Sequence, residues 1–125
     1  MERTVKAAFD TNILIDYLNG ISAARTEFDL YDEKLISIIT LIEVLVGVTN
    51  PNEETEIRRF LSTFSILELC LPIANKAVNL RQELRLKVPD AIVYATARNS
   101  GCILVTRNTK DMKAEWPDIR VPYSL

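Results

Sequence analysis

Asp10, Glu43, Asp90, Asn108 and Asp111 stand at or beside the points where short apolar runs meet helical patterns. Four of them are carboxylates, whose hard oxygens suit Mg2+ or Mn2+. Gathered within a few ångströms, such groups repel one another, and a divalent cation is the natural compensation. A cation held in this way orients and deprotonates a water and stabilises charge building on a phosphate under attack. The chain contains no histidine. That excludes Ser-His-Asp and Cys-His nucleophilic machinery and His-based zinc sites. Carboxylate–metal hydrolysis needs no histidine.

Each acid also has a plainer role open to it. Asp10 can cap the helix that follows it. Thr40-Leu41-Ile42-Glu43 fits a capping box, with Glu43 returning to the Thr40 backbone. Asp90, beside Pro89, is a favourable charge at a helix N-terminus. Asp111 can be a turn residue in the 108–111 loop. Taken jointly, the plain roles weaken, because they leave the shared location of the acids unexplained.

That location follows from the elements. Residues 4–9 read as a strand, followed at once by Asp10-Thr11-Asn12 and an apolar helix (Ile13, Leu14, Tyr17, Leu18) ending near Gly20. A second helix covers 22–31, capped by Ser22. Residues 34–39 form a buried strand and 40–47 a short helix. Residues 53–64 place Ile57, Phe60, Leu61 and Phe64 at amphipathic spacing. A strand at 66–70, helices at 73–86 and 89–99, a strand at 102–106, a turn at 109–113 and a last strand at 119–121 complete the pattern. Alternation of apolar strands with helices predicts an α/β fold: a central parallel sheet flanked by helices on both faces. In such sheets ligands bind beyond the carboxyl ends of the strands, where Asp10, Glu43, Asn108 and Asp111 fall.

The length, 125 residues, suits one domain, and 48% hydrophobic residues supply a core. The net charge is −2, which counts mildly against a bulk nucleic-acid binder. Residues 81–113 nevertheless hold seven Lys/Arg against three acids. Arg81 and Arg85 are spaced i, i+4 and can face the same way on one helix. Arg107 and Lys110 lie in the loop beside the proposed metal. All four are candidates to grip a phosphate backbone; the alternative for Arg81 or Arg85 is a local carboxylate or a partner chain. Cys70 and Cys102 lie in apolar stretches outside any CxxC and read as small buried hydrophobes in a reducing compartment. No apolar run is long enough for a membrane span and the N-terminus lacks a signal peptide's core, so a cytoplasmic protein is expected.

Asp10-Thr11-Asn12, Thr40-x-x-Glu43, Pro89-Asp90-Ala91-x-x-x-Ala95-Thr96-Ala97 and Leu104-Val105-Thr106-Arg107-Asn108-Thr109-Lys110-Asp111 together resemble the PIN domain, most closely its VapC-type toxin branch. The four motifs occur in the family's order and span nearly the whole chain, so residues 1–125 are expected to be a single PIN-like domain. The resemblance implies a three-layer α/β/α fold, an acidic pocket for Mg2+ or Mn2+, and endoribonuclease activity. Carried over by position, it makes Asp10, Glu43 and Asp90 the core acids. Many members have an acid where this chain has Asn108; Asp111 follows three residues later. Asp111 is taken as a metal-side or second-sphere carboxylate and Asn108 as a polar orienter. Thr11, Asn12 and Thr106 would support the pocket. Tyr94, where members often have a small residue, faces either the core or the groove. The resemblance also implies a small antitoxin partner and a homodimer. Two other functions stay open. One is a non-catalytic PIN-like binding module, with the acids serving as caps. The other is a small-molecule phosphohydrolase using Asp10 as nucleophile, although residue 12 is Asn where an acid would be needed.

Overall fold

A computed structural model describes residues 5–125; Thr4, the first residue of the expected opening strand, lies outside them. The chain runs β1 (Lys6–Phe9), α1 (Thr11–Leu18), α2 (Ser22–Phe28), β2 (Glu33–Ser37), α3 (Ile38–Val46) and α4 (Pro51–Leu61). It continues through β3 (Ser65–Leu67), α5 (Leu71–Leu84), α6 (Val88–Asn99), β4 (Ile103–Val105) and β5 (Ile119–Arg120). The strands form one parallel sheet in the order β3-β2-β1-β4-β5. Helices cover both faces, as the apolar strand runs predict.

The pleat sorts the strand residues into two cores. Ala8, Leu35 and Leu104 lie in register across β1, β2 and β4 and pack with Ile73, Leu80 and Tyr94 of α5 and α6. Ala7, Phe9, Ile36 and Val105 point the other way, against Leu14, Phe28, Leu61 and Phe64. Central strand β1 is therefore apolar on both faces, with Ala7 and Phe9 fully buried. Its neighbours β2 and β4 continue the chain toward opposite edges of the sheet. The gap beyond its carboxyl end is thus the switch point where such sheets bind ligands, and Asp10 is the residue that occupies it.

Several boundaries differ from the sequence reading. Strand β2 ends at Ser37, and Ile38 and Ile39 already belong to α3, because the Ser37 hydroxyl accepts a hydrogen bond from the Ile39 N–H at 3.0 Å and caps the helix. Helix α2 begins at Ser22, with Ile21 at its cap position and no side-chain cap. Helix α5 stops at Leu84, and Arg85 takes a left-handed conformation (φ 59°) that ends the helical ladder. Arg81 and Arg85 therefore do not share a continuous helical face. Cys70 is exposed rather than buried, because edge strand β3 ends at Leu67 and leaves Cys70 in the following loop; Cys102 is half-buried, and both thiols are free. Gly20 (φ 82°) and Gly101 (φ 68°) make the left-handed turns that release α1 and α6. Among the described residues no helix is long and apolar enough to cross a membrane.

Candidate active site

Asp10 follows Phe9 at the end of β1 and is the cap residue of α1. Its backbone N–H donates to Val105 O of β4 at 2.9 Å, which seats it between two strand ends. The residue is 5% exposed, and its carboxylate accepts three hydrogen bonds. Oδ1 accepts from the Thr11 N–H at 2.8 Å. Oδ2 accepts from the Thr106 hydroxyl at 2.8 Å and the Asn12 amide at 3.3 Å. Capping and a place among the acids are therefore compatible in this residue. Burial pushes the carboxyl up to about 6, against the pull of these hydrogen bonds, and repulsion from Asp90 and Glu43 adds to the rise.

Glu43 arrives from α3. Since Ser37 caps that helix, Glu43 is not the reciprocal half of a capping box at Thr40, and the plain reading of that motif is overturned. Its Oε1 instead accepts from the Thr11 hydroxyl at 2.6 Å. Thr11 Oγ1 also lies 3.2 Å from Thr40 Oγ1, and Thr40 is fully buried. One threonine thus ties the start of α1 to the pocket face of α3.

Asp90 occupies the first turn of α6 and is half-buried. Burial raises its carboxyl, and repulsion from Asp111 and Glu43 raises it further, while nearby Lys87 works the other way. Asp111 lies in the turn after β4. Its Oδ2 accepts from Asn108 Nδ2 at 3.2 Å, and its backbone N–H donates to Asn108 Oδ1 at 3.3 Å. Of the two residues, then, Asp111 is the one whose charge reaches Asp90, and the Asn108 amide holds Asp111. The Asn108 N–H donates to Thr106 Oγ1 at 3.0 Å, so this turn and the Asp10 contacts share one hydroxyl.

The structure therefore brings four carboxylates within electrostatic reach from β1, α3, α6 and the loop after β4. Among the described residues none of the four is in an ion pair. Nor do three carboxylate or thiol groups there close into a ready-made cage for an ion. Hard, separated oxygens outside any ion pair among the described residues fit a divalent ion that keeps several of its own waters, as Mg2+ does when one or two carboxylates hold it. The acid-rich donor set, with thiols and imidazoles absent from it, does not fit zinc.

The basic candidates disperse. Arg107 turns away from the acids and forks onto Asp16, Nε to Oδ2 and Nη2 to Oδ1, both at 2.7 Å. Arg81 donates to Leu86 O at 2.9 Å, closing the turn after α5. Arg85 and Lys110 are exposed. Tyr94 faces the core: it is fully buried, stacks on Trp116 at 5.8 Å, lies beneath the Arg98 guanidinium and bonds Asp118. Three residues of the site's surroundings escape the sequence reading: Thr40 as a hydroxyl neighbour of Thr11, Asp16 and Tyr123. Asp16 carried a signal, an acid inside an apolar helix one turn after Asn12. Tyr123 carried none.

A family model described as PIN domain matches residues 7–114. A ribonuclease VapC1 of Rickettsia felis is 28% identical over 116 residues, 83% of this chain and 86% of that protein. A tRNA(fMet)-specific endonuclease VapC of Shigella flexneri is 30% identical over 120 residues, 87% of this chain and 91% of that protein. Among solved structures, a toxin–antitoxin complex from Klebsiella pneumoniae contains a chain that superposes with a TM-score of 0.89 at 44% identity. The match covers 95% of this chain and 99% of that one.

Proposed function

The chain belongs to the PIN domain family, and from that premise we propose that it is a metal-dependent endoribonuclease, the toxin of a toxin–antitoxin pair. The observation that carries the reading is Asp10. A buried carboxylate at the switch point of the sheet, gripped by Thr11, Asn12 and Thr106, feels the charge of Asp90 and Glu43, and among the described residues none of these acids is in an ion pair. The likeness to a ribonuclease and an endonuclease of the VapC type, and to a toxin–antitoxin complex, supports the substrate class and the partner.

PIN-domain ribonucleases are metal-dependent in general; for this chain we assign Mg2+ or Mn2+ on the hardness of the donors. When bound, the ion supplies Lewis-acid polarisation of the scissile phosphate and eases deprotonation of an attacking water. Asp10 and Asp90 would hold it, with Asp111 steadied beside them by Asn108. Glu43 has one oxygen engaged by the Thr11 hydroxyl, and among the described residues its other oxygen takes no hydrogen bond, so it would be open toward the ion or its substrate. Of the four basic candidates, exposed Arg85 and Lys110 would meet an RNA backbone. A small antitoxin protein and a second copy of the chain complete the assembly. We assign one PIN-like domain to residues 1–125 and the cytoplasm as its compartment.

The direct test is cleavage of an RNA substrate by purified protein with Mg2+ or Mn2+ and with EDTA. Wild type should cut only with the ion. Asp10→Asn should abolish cutting while leaving the melting temperature at or above wild type, because a buried like-charge repulsion is relieved. Wild-type rates from Asp10→Asn, or cutting that survives EDTA, would overturn the assignment. No cutting, together with no rise in melting temperature on adding Mn2+, would favour a non-catalytic binding module.

A further inference from the structure

Asp16 and Arg107 lie outside the acid group, yet Arg107 touches Asn12, which helps hold it, and Asp16 holds Arg107. Asp16 stands one turn after Asn12 on α1, so their side chains share a face. Its carboxylate is 5% exposed and takes the two-pronged Arg107 contact, a geometry that adds directional constraint to charge attraction. The Tyr123 hydroxyl donates a third bond, to Asp16 Oδ2, at 2.8 Å. Arg107 is thus gripped at its side chain by Asp16. It is gripped again at its backbone, where its N–H donates to Asn12 Oδ1 at 3.0 Å.

The second grip sets the Asn12 amide. With Oδ1 facing the Arg107 N–H, Nδ2 must face Asp10 Oδ2 and Thr106 Oγ1, each 3.3 Å away. A flipped amide would set its oxygen against the Asp10 carboxylate and its NH2 against the Arg107 N–H. The position of the Arg107 backbone therefore decides whether Asp10 meets a donor or an acceptor.

We propose that Asp16, Arg107 and Tyr123 form a positioning clamp that fixes the Asn12 amide and the Thr106 hydroxyl, and through them the Asp10 carboxylate, for a divalent cation. The clamp rests on the reading of Asp10 as an ion-holding carboxylate. All three are positioning residues, and none touches the ion or the RNA.

Removing Arg107 alone would strand a buried charge, so the test variant is Asp16→Leu/Arg107→Met, which leaves no orphan carboxylate. Four quantities separate the possible roles: the Mn2+ dissociation constant by calorimetry, kcat for RNA, KM for RNA, and the salt dependence of RNA binding. The clamp requires a folded double variant whose Mn2+ affinity falls about tenfold or more, the usual effect of losing an outer support of a metal site. kcat should fall with it, while KM and the salt slope stay put. Tyr123→Phe should weaken Mn2+ in the same direction by less. Wild-type Mn2+ affinity in the folded double variant overturns the proposal. So does a raised KM with a shallower salt slope, which would make Arg107 a phosphate contact. Should the double variant not fold, unchanged Mn2+ affinity in Tyr123→Phe overturns it instead. A wild-type protein that binds no Mn2+ at all overturns the underlying reading of Asp10, a different failure from loss of the clamp.

Discussion

Two pressures, burial and neighbouring acids, raise the carboxyl of Asp10, and the pH dependence of stability should report them. Its carboxyl is raised from 3.8 to about 6 in the folded protein, so the native state holds this proton more tightly than the unfolded chain. The stabilisation that follows is fully present below about pH 4 and is lost as the pH rises through about 6. For the ion-free protein the loss amounts to roughly 3 kcal/mol at most. Urea melts between pH 4 and 7 should show that decline, and Asp10→Asn should flatten it. Saturating Mn2+ should reverse the slope above pH 6, since the ion requires the ionised carboxylate. At this scale the spacing of Asp10, Glu43, Asp90 and Asp111 was legible, because each stands beside a boundary that apolar periodicity marks. The partner of Arg107 was not. Asp16 is 91 positions away, and a basic residue in a loop near acids reads the same whether it faces RNA or a buried carboxylate.

Helix α3 shows how an element boundary changes the meaning of a residue. Ile38 and Ile39 are β-branched and extend the apolar run of β2, so the pattern alone carries the strand to residue 39. The hydroxyl of Ser37 decides otherwise by capping the helix, and the shift turns Glu43 from a cap partner into a pocket acid. Ser37→Ala should therefore cost about 1 kcal/mol of stability in urea melts. Glu43→Gln should leave stability within about 0.5 kcal/mol, as expected away from caps and core, while cleavage falls at least tenfold. A destabilisation by Glu43→Gln equal to that of Ser37→Ala would restore the capping role. The end of α5 follows the same logic. Nothing in the apolar spacing of Ile73, Ala77, Leu80 and Leu84 marks where the ladder breaks, since Arg85 is not a residue that advertises a left-handed stop.

The parallel sheet itself could be read from alternating strand and helix patterns, because strands covered on both faces lose the polar alternation that marks an exposed face. The strand order β3-β2-β1-β4-β5 could not, since it depends on which strand ends dock beside β1 rather than on any local run. That order is what makes the acids one site: β1 supplies Asp10, β2 leads into Glu43, and β4 leads into Asp111. An ion bound there should hold the layers together. At a Mn2+ concentration of about 100 times its dissociation constant, wild type should gain about 2.7 kcal/mol, measurable as a rise in melting temperature that Asp10→Asn abolishes. The hydroxyl of Thr106 that steadies Asp10 stands 96 positions further along the chain. During synthesis, Asp10 therefore leaves the ribosome long before its support exists. A nascent copy that stops short of β4 carries the acid without the hydroxyl and the strand end that seat it.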